Sequence, residues 1–134
     1  MATIRKQIPI GMKTAEAWDV LRDYGALHDR LVPGFVTDTR LEGEDRVVTF
    51  ANGSLARERL VTMDDDRRRL VYTVVESPLG FTHHQASVEL VEGVDEAGDC
   101  WLVWTADVLP EDVAPVVDQM MDAGAAVMAR TLAE

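Results

Sequence analysis

The chain has 134 residues and a mass of 14.8 kDa, which is enough for one domain with a substantial hydrophobic core. It carries 13 basic and 24 acidic side chains, so its formal net charge is −11, which argues against a nucleic-acid partner and against an anionic membrane surface. A single cysteine, Cys100, excludes an intramolecular disulfide and a metal-binding thiol cluster, and it favours a reduced cytoplasmic location.

The N-terminal part of the chain predicts one strand followed by two short helices. Residues 3–10 contain several β-branched side chains and predict the strand. Residues 14–27 predict an amphipathic helix, because their apolar side chains recur at helical spacing and Thr14 is a suitable N-cap. A second short helix is predicted over residues 25–31, before Pro33-Gly34 interrupts the helical pattern.

The middle of the chain is a series of strand-like runs separated by turn-forming residues. The predicted strands span residues 35–42, 46–51, 55–63, 69–76, 82–92 and 100–108. The turns between them are Gly43-Glu44-Asp45, Asn52-Gly53, Asp64-Asp65-Asp66, Ser77-Pro78-Leu79-Gly80 and the acidic stretch Gly93–Asp99. We interpret the run of three aspartates as a solvated turn. Because the connections are short, the pattern favours an antiparallel meander over strands joined by crossover helices.

The last predicted element is a long helix from about Asp112 to Leu132. Asp112 is placed to cap it, and Pro115 falls in its first turn, where a missing N–H costs nothing. Its wide apolar face consists of Val113, Val116, Val117, Met120, Met121, Gly124, Val127, Met128 and Thr131. The element order indicates an α+β fold in which a curved antiparallel sheet of seven strands wraps around the terminal helix. A hollow between sheet and helix is expected.

The hairpin around Asn52-Gly53 decides which side chains face that hollow. A two-residue turn would pair Val47 with Glu58, so that Val47 and Glu58 share one face while Arg57 and Arg59 occupy the other. Two arginines are harder to bury than one glutamate, which favours the Glu58 face as the interior.

The later strands show clearer alternation. Their predicted inward residues are Leu70, Tyr72 and Val74, then His84, Ala86, Val88 and Leu90, and finally Leu102, Trp104, Ala106 and Val108. Their outward positions include Arg69, His83 and Trp101. His83 and His84 therefore point to opposite faces and predict no metal site, and we expect neither a metal nor a cofactor.

Two segments carry a resemblance to a known family. Residues 57–90, RERLVTMDDDRRRLVYTVVESPLGFTHHQASVEL, and residues 100–110, CWLVWTADVLP, precede an apolar terminal helix. Together they resemble the polyketide cyclase/dehydrase branch of the START-like, or Bet v 1-like (SRPBCC), superfamily and, more distantly, plant abscisic-acid receptors. The resemblance implies a single domain over residues 1–134 with a helix-grip fold and a ligand cavity.

The resemblance also implies roles for individual residues. The glutamate of the E-R-L triplet, here Glu58, would point into the cavity, and the aromatic residue after the D-D-x-R-R turn corresponds to Tyr72. His84 stands where receptor-like members have a tyrosine, so a role that needs a phenol is not expected there. Arg40, on the second strand, has outward parity, which makes an acidic ligand less favoured.

Ten residues are candidates for contact with a ligand: Glu58, Leu60, Tyr72, Val74, His84, Trp104, Val117, Met120, Met121 and Gly124. Each has a structural alternative. The aromatic and methionine side chains could be ordinary core, His84 could be a strand histidine bonded to Glu58 or water, and Glu58 could pair at the rim with Arg57, Arg59 or Arg69. Gly124 costs about 1 kcal/mol relative to alanine in a helix, so it indicates a close approach.

Three functions remain open at this point. The first is a binder that holds an apolar, neutral small molecule of lipid, polyketide or isoprenoid type. The second is an aromatase/cyclase in which His84 and Glu58 transfer protons. The third is a protein-interaction module of co-chaperone type that uses the acidic second half. No stretch of about 18 apolar residues predicts integral membrane association, and either a monomer or a homodimer is expected.

Overall fold

A computed structural model of the chain describes residues 1–92 and 100–133, and the predicted turn Gly93–Asp99 lies outside the described residues. Seven antiparallel strands form one curved sheet in the order β1-β7-β6-β5-β4-β3-β2. Their bounds are β1 Ala2–Ile10, β2 Val36–Glu42, β3 Asp45–Phe50, β4 Leu55–Asp64, β5 Arg69–Glu76, β6 His83–Glu92 and β7 Cys100–Leu109. Each strand from β2 onward pairs with the next along the chain, so the predicted meander is confirmed.

The helices are shorter than the sequence predicts. Helix α1 spans Thr14–Arg22, and it is followed by a 3₁₀ turn at Tyr24–Ala26 and a single π-helical turn at Leu27–Leu31. Thr14 is the first helical residue and not the N-cap, because the cap position falls on Lys13, which makes no side-chain cap bond.

The long helix α2 spans Ala114–Thr131, and Pro115 lies in its first turn as predicted. Asp112 does not cap this helix. It belongs to a 3₁₀ turn at Glu111–Val113, so that Val113 occupies the cap position. The apolar face is narrower than predicted, because Val116 is 45% exposed.

The concave face of the sheet and the buried stripe of α2 form the core. The inward alternation predicted for β6 and β7 is confirmed, since Ala86, Val88, Leu102 and Val108 are all buried. From α2, Met121 and its neighbours on the same stripe face this surface. The Lys6 ammonium of β1 forms ion pairs with Asp118 and Asp122 of α2, which ties the helix to the edge of the sheet.

The β3–β4 hairpin differs from the predicted one by one residue in register. The Phe50 N–H donates to the Ser54 carbonyl at 2.9 Å, and Gly53 has a φ of +88°, so the loop has three residues and not two. Glu58 consequently pairs with Arg46 and not with Val47. Because the side-chain period of a strand is two, this shift turns every β3 side chain to the other face. Glu58 still faces inward, as predicted.

Asp65 connects α1 to the turn between β4 and β5. Its carboxylate accepts hydrogen bonds from the Trp18 indole N–H at 2.8 Å and from the Arg22 guanidinium at 2.9 Å, and both bonds hold its pKa below the usual range. Asp65 lies in an exposed turn, as predicted, but the sequence did not predict its bonds to Trp18 and Arg22.

Replacing Asp65 with alanine is expected to lower the free energy of unfolding, because the buried indole of Trp18 loses its acceptor. Urea denaturation measures this change. The matched control is Asp66→Ala at the neighbouring exposed position, which should change stability by less than about 0.5 kcal/mol. Equal losses in the two variants would contradict the assigned role.

Candidate functional site

A cavity of about 110 Å³ lies between the concave face of the sheet and α2. We call it the chamber. Its walls are mainly apolar and come from β3 to β7, from α2 and from the turn at Leu27–Leu31, with Val88, Ala106 and Met121 among the lining residues. An engineered cavity of about 150 Å³ binds benzene, and the chamber is somewhat smaller, so it holds at most one six-membered ring.

A second, open pocket of about 430 Å³ adjoins the chamber, and we call it the groove. Phe35, Phe50, Leu79 and Met120 border both spaces. The other side of the groove is formed by the loops around residues 51–55 and 77–79 and by Val116. A guest longer than the chamber therefore has an apolar path toward solvent.

Eight of the ten predicted ligand-contacting residues line the chamber, and two do not. The eight are Glu58, Tyr72, Val74, His84, Trp104, Val117, Met120 and Met121. Leu60 packs against the core outside it. A Cβ atom on Gly124 would lie 3.2 Å from the Trp104 ring and 3.3 Å from the Phe35 ring, so this glycine lets α2 approach those two rings.

An ion pair that the sequence did not predict lies at one end of the chamber. The Arg46 Nε donates to Glu58 Oε1 at 2.7 Å, and the two side chains are 6% and 9% exposed. The Arg46 guanidinium carbon lies 3.9 Å from the centre of the Tyr24 ring and 5.3 Å from that of Tyr72. Burial alone lowers the pKa of Arg46, but the Glu58 carboxylate and the other neighbouring groups outweigh it, and the pKa is raised.

The predicted rim pairing of Glu58 with Arg57, Arg59 or Arg69 is wrong. Arg57 and Arg59 lie on the convex face, where both donate to the Asp45 carboxylate at 2.8–3.1 Å. Arg46 was missed because the two-residue hairpin put it on the outer face. The available signal was the inward glutamate itself, because a buried carboxylate needs a cation opposite it on the neighbouring strand.

Tyr72 and Trp104 form the second polar feature of the chamber. The Trp104 indole N–H donates to the Tyr72 hydroxyl at 3.1 Å, and both residues line the space. Burial raises the pKa of Tyr72, and the Glu58 carboxylate adds to this effect, so the phenol stays protonated. The hydroxyl oxygen thus accepts one bond from Trp104 while its own proton remains available to donate.

His84 ends the ladder between β5 and β6. The last paired residues are Tyr72 and Ala86, beyond which the Val74 N–H donates to the His84 Nδ1 at 3.0 Å and the Thr73 hydroxyl donates to the His84 carbonyl. At Nδ1, His84 thus bonds to a backbone N–H and not to Glu58 or water, the two partners that the sequence suggested. In the neutral ring the hydrogen is therefore on Nε2.

The charge state of His84 should make stability depend on pH. Burial lowers its pKa from 6.5 to about 4, and the neighbouring His83 adds to the effect. A histidine that is harder to protonate in the folded state stabilises the protein above its unfolded pKa, and this stability is lost as the pH falls toward the folded pKa.

Between pH 7 and pH 5 the wild type is expected to lose about 2 kcal/mol of unfolding free energy through His84. Urea denaturation at the two pH values measures the loss. In His84→Gln, which keeps a polar side chain without a titrating ring, the decrease should be smaller by that amount. An equal decrease in the variant would show that His84 is not the responsible group.

Within residues 1–92 and 100–133, no helix has the length and apolar character needed to cross a membrane. In that part of the chain, no three histidine, cysteine or acidic side chains are grouped so that they could hold a metal ion.

Comparisons with known proteins agree with this architecture. A sequence model of the family described as "Polyketide cyclase / dehydrase and lipid transport" matches residues 1–133. A protein from Thermobifida fusca, known from a solution NMR structure, is 32% identical, with a TM-score of 0.80 over 100% of this chain and 92% of the other.

Two more distant structures share the fold. Norcoclaurine synthase from Thalictrum flavum, solved in complex with dopamine and hydroxybenzaldehyde, is 20% identical, with a TM-score of 0.74 over 98% of this chain and 84% of the other. A START superfamily protein from Mycobacterium smegmatis is 10% identical, with a TM-score of 0.72 over 97% of this chain and 93% of the other. At these identities the likeness concerns the fold alone.

Proposed function

The chain belongs to the polyketide cyclase/dehydrase and lipid transport family, and from this premise we propose that it binds a small hydrophobic molecule beneath α2. The guest places a ring-sized end in the chamber and any longer apolar part in the groove. The observation that supports this proposal is the unfilled, mainly apolar space of about 110 Å³ inside an otherwise packed core.

The size of the chamber narrows the class of guest. A space for about one six-membered ring does not enclose a fused polycyclic molecule or a whole lipid. The fold itself supports ring-sized guests, since norcoclaurine synthase was solved with dopamine and hydroxybenzaldehyde, each of which has a single aromatic ring.

The chemistry of the polar residues favours binding over proton transfer. Glu58 and His84 line the same chamber, as the cyclase hypothesis requires. However, the Glu58 carboxylate is held by Arg46, and the His84 Nδ1 already accepts the Val74 N–H. A neutral imidazole with a pKa of about 4 and its hydrogen on Nε2 is a donor near pH 7 and a poor base. The interaction-module hypothesis does not require a cavity, so the chamber gives it no support.

The proposal is tested by calorimetric titration with alkylbenzenes, which carry no polar group. Toluene, propylbenzene and pentylbenzene should bind with affinities that rise by up to about fourfold per methylene as the chain enters the groove. Failure of all three alkylbenzenes to bind, or affinities that do not rise with chain length, would overturn the proposal.

A further inference from the structure

The chamber holds a hydrogen-bond donor with no acceptor among the described residues. Resting on the proposed function, we propose that the Tyr72 hydroxyl, positioned by Trp104, donates a hydrogen bond to an uncharged oxygen acceptor, such as a ketone carbonyl, at the ring-sized end of the ligand. Tyr72 is the residue that contacts the ligand oxygen. Trp104 acts through Tyr72 and is a positioning residue.

The direction of the Trp104–Tyr72 bond carries this inference. An indole N–H can only donate, so the Tyr72 oxygen is the acceptor at 3.1 Å. The phenol proton must therefore point elsewhere, and within residues 1–92 and 100–133 no hydrogen bond uses it. Tyr72 is 6% exposed and lines the chamber, so a ligand oxygen there would meet this proton away from bulk water.

The position of Trp104 is itself restricted. Gly124 of α2 approaches the far edge of the indole ring so closely that a Cβ atom would lie 3.2 Å from it. The Tyr72 ring is in turn bordered by Arg46, whose guanidinium carbon is 5.3 Å from the ring centre, and by His84, at 5.8 Å between ring centres. The hydroxyl is thus held before a ligand arrives, which lowers the entropic cost of binding.

The charges around this end of the chamber indicate an uncharged acceptor. Arg46 and Glu58 form a pair with no net charge, and the 2.7 Å bond between them occupies the guanidinium Nε. A ligand carboxylate would add an uncompensated negative charge close to Glu58, which is unfavourable in a buried site. A carbonyl oxygen accepts the Tyr72 proton without that penalty.

The test compares two probes of nearly equal shape. Acetophenone carries a carbonyl oxygen where α-methylstyrene carries a methylene group. In Tyr72→Phe the ratio of acetophenone affinity to α-methylstyrene affinity should fall about five- to tenfold relative to the wild type. Binding of α-methylstyrene should be retained, which shows that the variant is folded and its chamber intact.

Infrared spectroscopy of acetophenone labelled with ¹³C at the carbonyl gives a readout that a merely structural role would not move. Relative to acetophenone dissolved in an alkane, the carbonyl stretch should lie at lower frequency when bound to the wild type, be lowered much less in Trp104→Phe, and lie near the alkane value in Tyr72→Phe. Benzoate should bind at least tenfold more weakly than acetophenone, and tighter binding of benzoate would overturn the uncharged assignment.

The possible failures are distinguishable. If neither acetophenone nor α-methylstyrene binds to the wild type, the proposed function fails and this inference fails with it. If both bind, but the affinity ratio and the carbonyl frequency are the same in the wild type and in Tyr72→Phe, only the assignment of Tyr72 is overturned.

Discussion

Replacing Glu58 with leucine is expected to lower the free energy of unfolding by about 3–5 kcal/mol, because the substitution leaves the buried Arg46 guanidinium without its counter-charge. Removing both charges, in Arg46→Met combined with Glu58→Leu, should recover most of this loss. Two well-packed apolar side chains avoid the desolvation cost that an unpaired ion suffers in the core. Urea denaturation followed by circular dichroism measures both variants.

Glu111→Leu is the matched control for this experiment. Glu111 also forms an ion pair, with the N-terminal ammonium at 2.7 Å, but its side chain is 68% exposed. Its replacement should therefore change stability far less than Glu58→Leu does. If Glu58→Leu alone does not fold, a double variant that does fold still supports the account of the buried pair. A double variant no more stable than Glu58→Leu, or a loss from Glu58→Leu as small as that of the control, would contradict the account of the buried pair.

Ala106→Phe is expected to reduce propylbenzene affinity at least a hundredfold, because a phenyl ring growing from β7 would occupy the chamber. Ala106 lines the chamber and is 2% exposed. A side chain that enters an existing void should leave stability within about 1 kcal/mol of the wild type, whereas the same substitution in a filled core costs about 1–3 kcal/mol. Calorimetry and urea denaturation measure the two effects on one sample.

Thr105→Phe adds the same ring one residue earlier, on the opposite face of β7. Neither chamber nor groove includes Thr105, so propylbenzene affinity should stay within about twofold of the wild type. Undiminished binding by Ala106→Phe would place the guest elsewhere. A large loss of stability in Ala106→Phe would show that the chamber is not empty.

Much of the fold could be predicted because the informative strands alternate clearly. In β6 the apolar and polar positions follow a period of two, which assigns His84 to the interior. The resemblance seen in residues 57–110 is confirmed by the family match over residues 1–133 and by the START superfamily neighbour. Seven strands and a long terminal helix follow from the same pattern.

Arg46, the site residue that the sequence did not predict, was missed because one loop is a residue longer than expected. Asn-Gly occurs in hairpin loops of two residues and of three residues, so this dipeptide does not determine the length of the loop. Their consequences differ completely, since one residue of slip exchanges Val47 for Arg46 in the interior. Because β3 has apolar residues on both faces, its own pattern could not correct the error.

Other features depend on three-dimensional packing that no local pattern encodes. Gly124 signals a close approach, but only the structure shows that Trp104 and Phe35 are the neighbours. The volume of the chamber depends likewise on how closely α2 lies over the sheet. The start of α2 also shifts from about residue 112 to Ala114, because a 3₁₀ turn precedes this helix where a side-chain cap was predicted.

The most direct test of the central claim is an NMR measurement of intermolecular nuclear Overhauser effects between bound propylbenzene and the protein. The account predicts contacts from the ring protons to the methyl groups of Val88 and Met121, which line the chamber under α2. Contacts confined to Val116 and Leu55, at the exposed edge of the groove, would show that the guest lies on the surface and would contradict it.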